Sequence, residues 1–208
     1  MSAPATLAPL LDALRASTAW LRFAKTKGAV IGGVAASIHG RPRVTRDVDI
    51  VALVLDEDWA DFLASGARFG IKPRRPDALA FARSTRVLLL RHHPSEVDLD
   101  VSLGAIPFEV EMVRRAVTKR IRGVSFRLAT AEDIVVMKSL ALRPRDVADI
   151  EGILSALPGL ALEQVRRDLG TLSESLEGPD FLGEFERIVS SQRHTPVKHP
   201  RVRKRRPR

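Results

Sequence analysis

Residues 28–55, GAVIGGVAASIHGRPRVTRDVDIVALVL, decide how this chain reads. An apolar run from Gly28 to Ile31 meets a Gly-Gly step at Gly32 and Gly33. A weakly helical piece then ends at Gly40, and a basic loop with Arg41, Arg43 and Arg46 leads into a second apolar run carrying Asp47 and Asp49. In a strand, alternate side chains share a face, so Asp47 and Asp49 project together while Val48 and Ile50 point the other way. Two carboxylates that close raise each other's pKa unless a cation sits between them. Hard divalent cations such as Mg²⁺ take oxygen ligands and are commonly held by one or two carboxylates together with substrate phosphates. Glycines let backbone N–H groups approach a phosphate closely, and a helix starting there turns its positive end toward the anion. Cradle and carboxylate pair together predict a site for a metal-bound nucleoside triphosphate.

Working outward, Leu7, Leu10, Leu11 and Leu14 recur at helical spacing and predict an amphipathic first helix. Strands are expected at 28–31 and 48–55 with a helix at 32–39 between them, an alternation that indicates an α/β layer. Asp56 and Asp58 form a second Asp-x-Asp, but they open a helix at 57–69 whose apolar face is Trp59, Phe62 and Leu63, where acids favour the cap and the dipole. Pro73 to Pro76 breaks the pattern, and a strand follows at 87–90. His92 and His93 are neighbours in a turn with no third ligand at strand or helix spacing, which argues against a shared metal.

Residues 97–103, VDLDVSL, make a third acidic strand. Attack of a hydroxyl on a metal-bound triphosphate needs a carboxylate near that hydroxyl. Asp98 and Asp100 share a face, so spacing leaves both open. A helix is expected at 108–119 and an edge strand at 124–128. Thr130 to Asp133 reads as a helix cap heading an apolar helix that Lys138 interrupts. A lysine there either snorkels to solvent or points at something negative. Asp146 and Asp149 can pair with Arg143 or Arg145 across helix turns. Two ordinary amphipathic helices fill 161–192.

The 208 residues are 45% hydrophobic and 28% charged, enough for one sizeable core or a core plus a small helical subdomain. The absence of cysteine rules out a disulfide framework or thiolate metal site. No apolar run reaches the length of a membrane span and no signal-peptide pattern opens the chain, so a soluble cytoplasmic protein is expected. The net charge of +9 is concentrated in 197–208, VKHPRVRKRRPR, which has seven Lys or Arg and no acid. Such a tail is expected to be disordered and to add affinity for RNA phosphates or simply solubility.

The ordered pair, Gly32-Gly33 then Asp47-Val48-Asp49-Ile50, resembles the hG[GS]…Dh[DE]h pattern of the polymerase-beta-type nucleotidyltransferase superfamily. The longer string GGVAASIHGRPRVTRDVDIV is similar to that of AbiEii-like nucleotidyltransferase toxins and their bacterial relatives. The later string AEDIVVMKSLALRPRDVADIEGIL resembles the same toxins, with a helix lysine followed by a D-x-x-D step. The likeness spans 28–155 and is strongest at its ends.

It implies a minimal nucleotidyltransferase fold of the α/β (α+β) class, a short mixed sheet flanked by helices with a helical C-terminal part. The expected division is a core at 1–128, a helical subdomain at 129–192 and a basic tail at 193–208. Asp47, Asp49 and Asp98 would be the catalytic and metal-binding carboxylates for two Mg²⁺ ions, or Mn²⁺ in their place. Asp98 is preferred to Asp100 because Val97-Asp98 precedes Pro107-Phe108-Glu109 as in the relatives. Gly32 and Gly33 would cradle the nucleotide phosphates. Arg46, beside Asp47 in the family-like Thr45-Arg46-Asp47 string, and Lys138 would neutralise them, while Asp146 with Asp149 would orient triphosphate or acceptor. The resemblance further implies transfer of a nucleotide to tRNA or another host acceptor, with an antitoxin as partner. One departure is the second glycine, which stands where many members carry serine. A metal-dependent glycosyltransferase also uses Asp-x-Asp but lacks the upstream cradle. A non-catalytic nucleotide- or RNA-binding protein on the same fold is the alternative.

Overall fold

The computed structural model describes residues 7–175 and 180–193; the expected basic tail lies, from residue 194 on, outside the described residues. The chain runs α1 (Leu7–Phe23), β1 (Lys27–Val30), α2 (Gly32–His39), β2 (Asp47–Leu53), α3 (Trp59–Ser65), β3 (Ile71–Pro73), α4 (Ala78–Thr85), β4 (Val87–His92) and β5 (Val97–Leu103). It continues with α5 (Pro107–Arg115), β6 (Val117–Ile121), β7 (Val124–Leu128), α6 (Ala131–Ala141), α7 (Pro144–Ala156), α8 (Leu162–Ser175) and α9 (Phe181–Arg193).

The described strands form one mixed sheet in the order β3-β4-β5-β2-β1-β7-β6. The β2–β5 and β1–β7 pairs are parallel and the others antiparallel. Apolar alternation explains the central strands. Leu88 and Leu90 of β4, and Leu99, Val101 and Leu103 of β5, are buried, while the residues between them are only partly so. On α1, the expected stripe holds, with Leu10, Leu11 and Leu14 buried. Trp20 closes it, stacked on Phe62 with ring centroids 4.2 Å apart and its indole N–H donating to Phe62 O at 3.2 Å and Ser65 Oγ at 2.9 Å. A single buried cluster runs from these residues through Ile134 and Ile150 to Phe185, so the sheet and helices α6 to α9 share one core.

Four local expectations are corrected. The break at Pro73–Pro76 starts one residue later, because Ile71–Pro73 pairs with β4 as an edge strand. An edge is where a proline without an N–H is tolerated. The expected helix at 108–119 stops at Arg115, and Val117–Ile121 turns back as strand β6. Arg122 and Gly123 form the two-residue connection to β7, both at positive φ (46° and 82°), the geometry of a tight hairpin turn. Strand β7 is therefore not an edge, since β6 covers it. Finally, 57–69 is not one helix: α3 is flanked by short 3₁₀ turns at Asp56–Asp58 and Gly66–Phe69, and Gly70 at φ 71° ends it.

Candidate active site

The site is built where β1 ends and β2 begins. Ile31 N donates to Asp49 O at 2.9 Å, which carries the β1–β2 ladder into the Gly-Gly step. Gly32 has φ 61°, and a Cβ there would lie 1.9 Å from Asp49 Oδ2. Only glycine lets the chain turn this close to the carboxylate. The next amide, Gly33 N–H, donates to Asp49 Oδ2 at 3.3 Å. A Cβ on Gly33 would lie 2.9 Å from Thr45 Cγ2 and 3.1 Å from an Arg43 Nη, so the loop before β2 fills the space that a serine would need. That is the physical reason for glycine at the second position.

Asp47 is exposed and Asp49 half-buried on the same face of β2. Burial pushes the Asp49 carboxyl up, and the charges of Asp47 and Asp100 push it further, while the Gly33 N–H and Lys138 act the other way. Strand β5 lies parallel alongside, with Asp47 opposite Asp98 and Asp49 opposite Asp100. Four carboxylates thus line adjacent strands. Their environments differ. Asp98 accepts from Arg74 at 2.9 Å and from Arg91 at 2.7 Å, so two guanidinium groups already neutralise it. Asp100 pairs with Arg74 as well, yet burial first and then Asp47 and Asp98 hold its carboxyl above the usual range.

A second cluster sits against the Gly-Gly step. The Arg43 guanidinium grips Asp149 in bidentate fashion at 2.8 and 3.0 Å. Lys138 Nζ lies 2.6 Å from Asp146 Oδ1 and 2.9 Å from Asp149 Oδ2, with only 11% of its side chain exposed. Asp146 also accepts from Arg143 N at 3.3 Å and so caps α7. Despite burial, the hydrogen bonds from Arg43 and Lys138 hold Asp149 below the ordinary carboxylate range. Of the residues expected from sequence, Gly32, Gly33, Asp47, Asp49, Lys138 and Asp146 are brought into one neighbourhood. Arg46 is exposed and has no ion pair among the described residues, whereas Arg43, three residues earlier, is the arginine turned inward. Arg74 and Arg91 carry no sequence signal, since they reach Asp98 only through sheet pairing.

Among the described residues no three His, Asp or Glu side chains converge as a ready-made metal cage. The donor set nevertheless fits a hard divalent cation. Asp47 and Asp49 present oxygen ligands on one face with unbalanced negative charge, and Mg²⁺ is usually held by one or two carboxylates with phosphates supplying the rest. His92, by contrast, is a buried strand residue whose Nδ1 lies 2.6 Å from Ser95 Oγ.

No family model and no curated protein sequence matches the chain. Solved structures do. The solution structure of the antibiotic-resistance factor ANT(2'')-Ia is 16% identical, the match covering 91% of this chain and 96% of that one with a TM-score of 0.50. The crystal structure of ANT(2'')-Ia in complex with adenylyl-2''-tobramycin is 15% identical over 86% of this chain and 97% of that one, with a TM-score of 0.51. An antigenic nucleotidyltransferase-like protein from Paracoccidioides brasiliensis is 17% identical over 85% and 92% of the two chains, with a TM-score of 0.48. The mixed sheet and its flanking helices are thus those of the nucleotidyltransferase fold. No helix among the described residues is long and apolar enough to cross a membrane.

Proposed function

We propose that the protein is a divalent-metal-dependent nucleotidyltransferase that moves a nucleoside monophosphate from a triphosphate to an acceptor hydroxyl and releases pyrophosphate. The observation that carries this reading is the seating of the Asp49 carboxylate on the Gly32-Gly33 turn beside Asp47. That arrangement sets phosphate-binding amides and metal-binding oxygens side by side. Asp47 and Asp49 would hold Mg²⁺ or Mn²⁺, which when bound neutralises triphosphate charge. Gly33 N–H donates to Asp49 here, and the start of α2 would face the phosphates. Lys138 and Arg43, held by Asp146 and Asp149, would lie beside them as donors to phosphate oxygens.

The third carboxylate comes from β5. The sequence favours Asp98, but Arg74 and Arg91 already occupy both of its carboxylate oxygens. Asp100 lies opposite Asp49 with its carboxyl already pushed up, as suits a group that receives the acceptor's proton. We assign it that role and read Asp98 as the anchor for Arg74 and Arg91. As the acceptor oxygen bonds to the α-phosphorus, its proton passes to Asp100 and the bond to pyrophosphate breaks.

The resemblance of the motif strings to those of AbiEii-like toxins supports tRNA or another host molecule as acceptor and an antitoxin as partner; the fold shared with ANT(2'')-Ia makes tobramycin a second acceptor to try. The deciding experiment offers each α-labelled nucleoside triphosphate, with Mg²⁺, to total RNA, total protein and tobramycin. Label should enter one pool and vanish in Asp47→Ala/Asp49→Ala. Asp100→Asn should abolish transfer while Asp98→Asn retains part of it; the reverse order returns the role to Asp98. No transfer into any pool by a protein that still binds triphosphate overturns the enzymatic reading in favour of a nucleotide-binding one.

A further inference from the structure

Strand β1 meets β7 at a single register position, Val30↔Leu128, whereas β1 pairs with β2 at four positions and β6 with β7 at five. Toward Lys27 and Ser125 the two strands therefore diverge, and the sheet opens into a cleft of about 510 Å³ between α1 and the end of α5. That volume is in the range of small-molecule sites. The cleft lies away from the carboxylates: Ile50, which lines it, alternates with Asp49 and points to the other face of β2.

Its lining is of two kinds. Leu21 gives it a partly exposed apolar wall backed by the buried Val113 and Phe126, and Arg22, Lys27, Arg114 and Arg127 are its charged groups, with no acid among them. The side chains of Arg22 and Lys27 hold no hydrogen bond or ion pair among the described residues. Arg127 donates only to the neutral carbonyls of Val113 at 2.9 Å and Arg114 at 3.4 Å, so it is held in place with its charge intact. Arg114 alone has an acid, Glu111, at 2.7 Å. A concave site with low-dielectric walls and charge of one sign concentrates counter-ions.

We propose that this cleft binds an anion with an apolar body, its carboxylate or phosphate head on Arg22, Lys27 and Arg127 and its body against Leu21. Guanidinium groups suit either head, because both offer paired oxygens. The proposal does not rest on the transfer reaction, and its readout is binding.

Titration calorimetry on the full chain, with decyl phosphate, decanoate, decanol and inorganic phosphate as probes below micelle formation, tests it. At least one decyl anion should bind, with decanol and inorganic phosphate weaker by roughly ten-fold or more, because each lacks half of the recognition. Preference for decyl phosphate or for decanoate identifies the head group. Arg22→Glu/Lys27→Glu should weaken the decyl anion by about ten-fold or more, while Asp47→Ala/Asp49→Ala should leave it unchanged. Should the charge-reversed protein fail to unfold cooperatively on heating, Ser125→Trp, which fills the mouth from an exposed position, replaces it and should likewise weaken binding by about ten-fold or more. Equal affinity for decanol, unaltered binding in the folded cleft variant, loss of binding in the Asp47→Ala/Asp49→Ala protein, or no binding of either anion overturns the proposal.

Discussion

A methyl group at position 32 would meet the Asp49 carboxylate 1.9 Å away, and the φ of 61° is itself unfavourable for any side chain. Gly32→Ala is therefore expected to move Asp49 rather than to unfold the protein. A displacement of that kind costs about a hundred-fold in transfer rate, measured by label incorporation alongside a thermal unfolding scan of the same variant. At the same scale, His92 offers a pH prediction. Burial lowers its pKa from the ordinary 6.5, with Asp12 opposing and His93 adding slightly. The unfolded chain then binds the proton more readily than the folded one, so the stability His92 contributes is complete above about 6.5 and is lost as pH falls through its depressed folded value. Urea midpoints measured across that window should fall with pH in the wild type and fall less steeply in His92→Gln. Both residues could be picked out of the sequence, but not their surroundings. Gly32 belongs to a motif that names its partner, whereas His92 looked like half of an adjacent pair until its burial and its hydrogen bond to Ser95 were seen.

At the scale of elements, the β6–β7 hairpin shows what periodicity alone misses. The run Val117–Ile121 is exposed along most of its length, so it lacks the alternating apolar signal of a strand and could be taken for the end of α5. The turn carried the missing signal: Arg122-Gly123 stands between two runs containing β-branched residues, and both turn residues adopt positive φ. Gly123 has no neighbour within 4 Å of an added Cβ, so a substitution there reports on backbone conformation alone. Gly123→Val should cost about 1–2 kcal/mol in unfolding free energy, and Gly123→Asn distinctly less, both read from chemical denaturation. The central strands were legible because they are buried on alternate residues, and α2 because the Gly-Gly step announces it. The third strand was not, because three residues ending in proline form an edge only when a partner strand is present.

Across the whole molecule, the carboxylate pair near the N-terminal third depends on helices more than eighty residues away. Lys138 on α6 and Asp146 and Asp149 on α7 enclose Arg43, which in turn fills the space beside Gly33. Removing the lysine leaves two buried carboxylates with less compensation. Lys138→Met is thus expected to destabilise the folded chain by about 3 kcal/mol, measured by urea unfolding. Because α6 shares its core with α2, the fluorescence of Trp20 and Trp59 and the far-UV circular dichroism should lose signal together. Two separate transitions would show instead that the helices after residue 128 fold apart from the sheet.

The α/β class, the carboxylate pair on one face of β2, the glycine turn before it and the helix lysine were all readable before folding was considered, since each follows from local spacing or from a short motif whose chemistry is local. Tertiary structure alone decided which arginine of the loop turns inward, which β5 carboxylate is left without a full complement of cations, and where the sheet splits to leave a basic cleft. Those outcomes depend on strand register and on charges that meet only after the chain has folded. Arg43 and Arg46, or Asp98 and Asp100, are equivalent by residue type and face, and differ only in the neighbours that packing brings to them.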